Sequence, residues 1–316
     1  MNVSDRCIAA LRLTLADGVS RARMRLLLDR FGPTIGSSCP PVAQLSSVLG
    51  IPACQANSIR RSILDAPVEA ELQELTLGAA RLLARGEPGY PKLLDATSDP
   101  PELLWVRGDE RLLASEMVAI VGSRRATSYG LNQSRIMAAG LSRSGLCIVS
   151  GGARGIDAAA HRAVLVEGGP MACVMGSGLS RAYPPEHAAL FDRIVDGGGC
   201  LLSEWPMNRP PRPVFFPMRN RIISGMAIGV LVIEAAIRSG ALITARQAND
   251  HGREVLGVPG RIDSTASAGV HRAIRDGWMT LATSPEDVLE QLSTVAWSSI
   301  REYKNKCPLS ESGSSG

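Results

Sequence analysis

Apolar positions recur at intervals of three and four in RCIAALRLTLADG and again in RARMRLLLDRFG, the spacing that lines one face of a helix. Gly18 separates the two segments and Gly32-Pro33 stops the second, since neither glycine nor proline continues a helix readily. VAQLSSVLGIPACQANSIRRSIL repeats the arrangement, with Gly50-Ile51-Pro52 as its hinge. Two helix–glycine turn–helix units in tandem predict a small all-α domain over residues 1–85, made of paired helix-hairpin-helix (SAM-like) elements. The glycine turn of such a hairpin can present backbone N–H groups to a phosphate, and a plain helical bundle fits the same pattern. Residues 86–110, which contain GEPGYPKLLDATSDPPELLWVRGD, are rich in proline. Proline removes ladder donors and biases its neighbours to extended backbone, so this stretch is expected to be a linker.

From residue 115 the period changes. Short apolar runs end in small residues and are followed by helical patterns: MVAIVG (117–122), LCIVS (146–150), MACVMG (171–176), CLLS (200–203), GVLVIEA (229–235) and EVLGV (254–258). Near-continuous apolar strands alternating with amphipathic helices indicate a parallel sheet covered on both faces. The prediction is a Rossmann-like, doubly wound, mostly parallel α/β domain over residues 111–295, with its ligand beyond the carboxyl ends of the strands. Residues 296–316 form a polar tail that is expected to be flexible.

Composition narrows the class. The 316 residues are 45% apolar and 20% charged, which fits globular domains and excludes disorder or coiled coil for the bulk. No apolar run reaches the ~18 residues of a membrane span, and MNVSDRCIAALRLTLADG does not read as a signal peptide. A cytoplasmic protein is expected. Seven cysteines, at positions 7, 39, 54, 147, 173, 200 and 307, form no CxxC pair, which suits reduced thiols and argues against a zinc site. The net charge is only +4, but just three of the 34 basic residues are lysine. Arginine suits planar recognition of phosphate and stacking on bases.

The chemistry gathers directly after the strands. VGSRRATSYG supplies Gly122, Ser123 and Arg124. SGGARGIDAAAH supplies Gly151, Gly152, Arg154 and Gly155, with Asp157 in the first turn of the next helix, where it caps that turn or meets the ligand. MGSGLSRAYPPEH contributes Tyr183, FFPMRNRIISG contributes Arg219, Asn220 and Arg221, and EAAIRSGALITA adds a further small-residue loop. Converging glycine loops and arginines point to an anionic ligand. Arg125, Arg154 and Arg181 equally suit solvated or ion-paired surface positions. The spacing is not G-x-G-x-x-G, no lysine follows a glycine as in a P-loop, and HExxH is absent. Nicotinamide cofactors, P-loop ATP hydrolysis and zinc peptidase chemistry are therefore disfavoured. No cofactor and no metal are expected.

Residues 85–295 resemble the DNA-processing protein A (DprA, or Smf) family, through YPKLL, PPELLWVRG, VAIVGSRRATSYG, SGGARGIDAAAH, GSGLSRAYPPEH, LLSEWP, FPMRNRIISG, EAAIRSGALITA and VPGRIDS. The N-terminal hairpins also look like the helical domain that precedes the core in that family. The resemblance implies a binding protein and not a catalyst. Such a protein holds single-stranded DNA, protects it, and loads the recombinase RecA in natural transformation. It places Arg124 in the DNA pocket, flanked by the 151–155 loop and the FPxRNR segment. Tyr183 is the candidate for stacking on a base. It also implies a homodimer through AGVHRAI, with Val270, His271 and Ile274 at the contact. Arg261 stands where the family usually has asparagine. Two rival readings are a nucleotide-hydrolysing enzyme of the same superfamily, using SGALITA with Glu234, and a double-stranded DNA binder acting through the hairpins.

Overall fold

The computed structural model describes residues 3–293; the polar tail expected at 296–316 lies outside the described residues. Five helices open the chain: α1 (Asp5–Leu15), α2 (Arg21–Phe31), α3 (Val42–Leu49), α4 (Ala53–Leu64) and α5 (Val68–Leu77). Ser4 caps α1 by accepting from Cys7 N at 3.1 Å, and Ser20 caps α2 by accepting from Arg23 N at 3.3 Å. These side chains satisfy backbone donors that the first helical turn cannot.

The expected linker is corrected by the structure. Where periodicity expects helix to residue 85, β1 (Ala80–Ala84) begins the sheet, and α6 (Lys92–Asp95) and β2 (Leu103–Gly108) follow. β2 pairs antiparallel with β1 on one side and with β6 (Cys200–Ser203) on the other. The prolines of this stretch fall in the turns around α6 and before β2, so no ladder donor is lost within a strand. Leu103, Leu104, Trp105 and Val106 are all buried, and that run of large apolar side chains draws the segment into the core.

The remaining strands lie where the apolar runs place them: β3 (Met117–Val121), β4 (Cys147–Ser150), β5 (Met171–Val174), β6, β7 (Gly229–Val232) and β8 (Glu254–Gly257), with a two-residue β9 (Thr280–Leu281). The nine-stranded order is β1-β2-β6-β5-β4-β3-β7-β8-β9, and the ladders from β6 to β9 are parallel. The sheet is Rossmann-like and mostly parallel, as the apolar runs predict. The connecting helices are α7 (Ser128–Arg143), α8 (Ile156–Glu167), α9 (Ala188–Asp196), α10 (Phe215–Met226), α11 (Gly240–Asp250), α12 (Ala268–Arg275) and α13 (Pro285–Ser293). The chain leaves β3 toward β4 on one side, and β7 returns on the other. The switch point of the sheet therefore lies at β3 and β7, and the loops after them part to leave a crevice.

The amphipathic α12 takes one residue, Val270, out of the expected dimer contact and leaves His271 and Ile274 half-buried. Val270 is completely buried and Ala273 nearly so, both in the apolar layer on one face of the sheet. Val270 thus has no surface to offer a second chain. His271 accepts a hydrogen bond from Gly260 N at its Nε2, 3.1 Å away, and Ile274 is half-buried against the same layer. The sheet takes this apolar face because α12 returns over β8 to cover the edge of the core.

Candidate nucleic-acid interface

A crevice of about 610 Å³ opens at the switch point. The loop after β3 forms one wall with Gly122, Ser123, Arg124 and Arg125, and the N-terminal turns of α10 form another with Phe216 and Asn220. Arg238 and Ser239, after β7, close the far end. The sequence-predicted residues Gly122, Ser123, Arg124, Tyr183, Arg219 and Asn220 are thus brought together. Gly151 and Arg154 line a narrow throat beside Tyr183 and Phe216.

Charge is unevenly distributed among the arginines. Among the described residues, no carboxylate lies within ion-pair distance of Arg124, Arg125 or Arg238, all three of which are exposed. Arg154 pairs with Glu186 at 2.5 Å, so much of its charge is answered. Arg221 is corrected outright. Its side chain is buried, engages Glu204 and lies 3.2 Å from Asp99, and it does not line the crevice. A buried guanidinium needs such partners to offset lost hydration.

Aromatic surface stands beside the unpaired cations. The Arg124 guanidinium lies 5.2 Å from the centroid of Phe216, within the range of a cation–π contact. Tyr183, 37% exposed, sets its ring 5.3 Å from Phe216 at 47°. Sequence reasoning missed Phe216 and Arg238. The doubled aromatic of FFPMRNR was the available signal for the first, in a chain with only four phenylalanines. The second sits in the small-residue loop IRSG.

The 151–155 loop presents less backbone to a ligand than its glycines suggest. Asp157 accepts from Gly151 N and Ala153 N, each at 3.2 Å, so its carboxylate caps the loop. Burial pushes the Asp157 carboxyl up, against the opposing pull of Arg219 and of these N–H groups. A side chain at Gly152 would run into Cys173 and Phe191. Gly155 has φ +75°, and a Cβ there would lie 2.2 Å from the Ser123 carbonyl oxygen. Gly152 therefore lets the loop after β4 pack on β5 and α9, and Gly155 lets it close on the loop after β3. Glu234 does not line the crevice. It accepts from Thr127 N at 2.9 Å and Thr127 Oγ1 at 2.5 Å, holding the start of α7. Among the described residues no three His, Cys, Asp or Glu side chains are placed to hold a metal, and no helix is long and apolar enough to cross a membrane.

A free guanidinium on an aromatic face, with further unpaired arginines along one groove, suits a chain of phosphates with unstacked bases. Comparisons agree with that chemistry. The family model described as DNA recombination-mediator protein A matches residues 81–293. Protein Smf of Escherichia coli (strain K12) is 44% identical over 225 residues, which is 71% of this chain and 60% of that protein. The chain thus spans well under two thirds of that relative. The DNA processing protein DprA of Streptococcus pneumoniae is 42% identical over 202 residues, covering 64% of this chain and 71% of that one. The X-ray structure of the S. pneumoniae protein superposes with a TM-score of 0.78 at 33% identity, over 92% of this chain and 98% of that one. DNA processing protein A from Helicobacter pylori, described for its single-stranded DNA binding mode, gives a TM-score of 0.61 at 27% identity, over 68% and 96% of the two chains.

Proposed function

This chain belongs to the DNA recombination-mediator protein A family, and on that premise we propose that it is a cytoplasmic, non-catalytic protein that binds single-stranded DNA, shields it, and passes it to RecA recombinase during natural transformation. The observation that carries the reading is the cluster of Arg124, Phe216 and Tyr183 at the switch point. The arginine lacks a carboxylate partner, and the rings offer faces that any base can stack on. Arg125 and Arg238 extend the positive lining on either side, and Ser123 and Asn220 add polar groups within reach of a strand. The binding of single-stranded DNA by the H. pylori relative supports the choice of ligand.

Among the described residues the crevice is walled by loops and the first turns of α10, not by a helix projecting as a recognition helix would into a major groove. Unstructured oligo-dT is expected to bind much more tightly than a duplex of equal length, read by fluorescence anisotropy at moderate salt. Equal affinity for the two would defeat the proposal. Arg124→Ala is expected to weaken oligo-dT binding by about 1–3 kcal/mol, the loss of a charge-assisted contact. Its melting temperature should stay near that of the wild type, because the side chain is exposed. Unchanged affinity would remove Arg124 from the site.

A further inference from the structure

Arg219 sits at the centre of the crevice and is nevertheless 4% exposed. Its guanidinium donates to Gly151 O at 2.6 Å and to Val174 O. Those carbonyls stand at the carboxyl ends of the neighbouring strands β4 and β5, where the ladder runs out of donors. Gly151 is glycine for the same reason: a Cβ there would lie 2.4 Å from Arg219 Nη1. From the other side of the loop, Asp157 takes Gly151 N and Ala153 N. One peptide neighbourhood is thus gripped through its carbonyl by a buried cation and through its N–H groups by a buried anion. Arg219 also lies three residues after Phe216 on α10, on the same face of the helix.

We propose that Arg219 and Asp157 form a buried clasp that positions Phe216 and the 151–155 loop for the strand, and that Arg219 does not itself bind phosphate. This rests on the single-stranded DNA reading above. The two opposite charges lie on either side of one loop and attract each other, and the Arg219 Nη1 is turned to carbonyl oxygens. The positive lining that meets phosphates is then Arg124, Arg125 and Arg238.

Salt dependence separates the two roles. Each phosphate neutralised on a single strand contributes about 0.7 to the slope of log K against log salt. Oligo-dT titrations of the wild type, Arg124→Ala and Arg219→Gln across a salt series, with binding stoichiometry measured, are the experiment. Glutamine removes the charge, so a phosphate neutralised by Arg219 would be lost from the slope, and it removes the Nη1 that meets both carbonyls. Arg219→Gln is expected to weaken binding by roughly tenfold, the size expected for a lost hydrogen bond to a charged group, with wild-type slope and stoichiometry. Arg124→Ala should lower the slope by about 0.7. A slope lowered to the same extent in Arg219→Gln would make Arg219 a phosphate ligand and overturn the clasp. So would unchanged affinity, and so would reduced stoichiometry with an unchanged dissociation constant, which marks a fraction of misfolded chains. If Arg219→Gln does not fold, Asp157→Asn releases the loop from its other side and is judged by the same three readouts. A wild type that fails to bind oligo-dT would defeat the functional proposal instead, independently of these variants.

Discussion

Arg124 and Arg221 carry the same guanidinium and meet opposite fates. Sequence type and position after a strand made both candidates for a ligand, but neither discloses whether an acid waits nearby in space. Asp99 lies far upstream of Arg221, and Glu204 reaches it from the end of another strand. Burial is likewise invisible in a single residue, as His161 shows. It sits inside the core with neither ring nitrogen hydrogen-bonded among the described residues. Burial, reinforced by His187 and Arg219, pulls its pKa from 6.5 to about 3. The unfolded chain therefore binds more protons between those two values, and stability falls as the pH drops through 6.5 toward 3. At about 1.4 kcal/mol per pH unit, this group alone removes about 2 kcal/mol between pH 7 and pH 5. Urea unfolding of His161→Leu at both pH values should show a loss about 2 kcal/mol smaller than that of the wild type. An identical loss would mean that the fold leaves the titration of His161 as it is in the unfolded chain.

At the scale of elements, apolar runs locate β3 to β8 to within three residues at each end, because a strand covered on both faces needs unbroken apolar character. β2 escaped the same reading. Its run LLWV follows a double proline, and the proline content of the stretch masks that none of those prolines lies within the strand. The loops of the crevice are legible as glycine-rich, but the contacts that require glycine there are not. Gly155 serves loop-on-loop contact: its backbone has positive φ, and Ser123 O occupies the space a side chain would need. Gly155→Ala is expected to cost more than the ~1–3 kcal/mol of backbone strain alone, because the loop carrying Arg124 must also move. Thermal unfolding together with oligo-dT affinity checks this. A variant of wild-type stability and affinity would show that the two loops close by some other contact.

Over the whole molecule, the helical segment and the sheet are joined by one core. Leu11, Leu27, Ile63 and Leu75 belong to the same apolar cluster as Trp105, Ile120 and Ile148. Ion pairs such as Arg21–Asp99 and Arg25–Glu102 cross that junction at its surface, and one buried polar fixture crosses it in the interior. Glu71 Oε1 of α5 accepts from Trp105 Nε1 at 2.8 Å and from Met207 N at 2.7 Å. The indole belongs to β2 and the amide to the loop after β6, so one carboxylate oxygen ties the helices to two places in the sheet. Both donors lie in buried surroundings, and a donor left unpaired there costs about 1–3 kcal/mol. Glu71→Ala strands both and should destabilise by about 2–5 kcal/mol. Glu71→Gln keeps a carbonyl oxygen in the same place and should lose much less. Urea unfolding followed by tryptophan fluorescence and by far-ultraviolet circular dichroism gives the readout. A shared core requires that the two probes move together through one transition, shifted to lower denaturant in Glu71→Ala. If the signals separate in the wild type, or if alanine is tolerated as well as glutamine, then the helices unfold on their own and the Glu71 contacts do not bind them to the sheet.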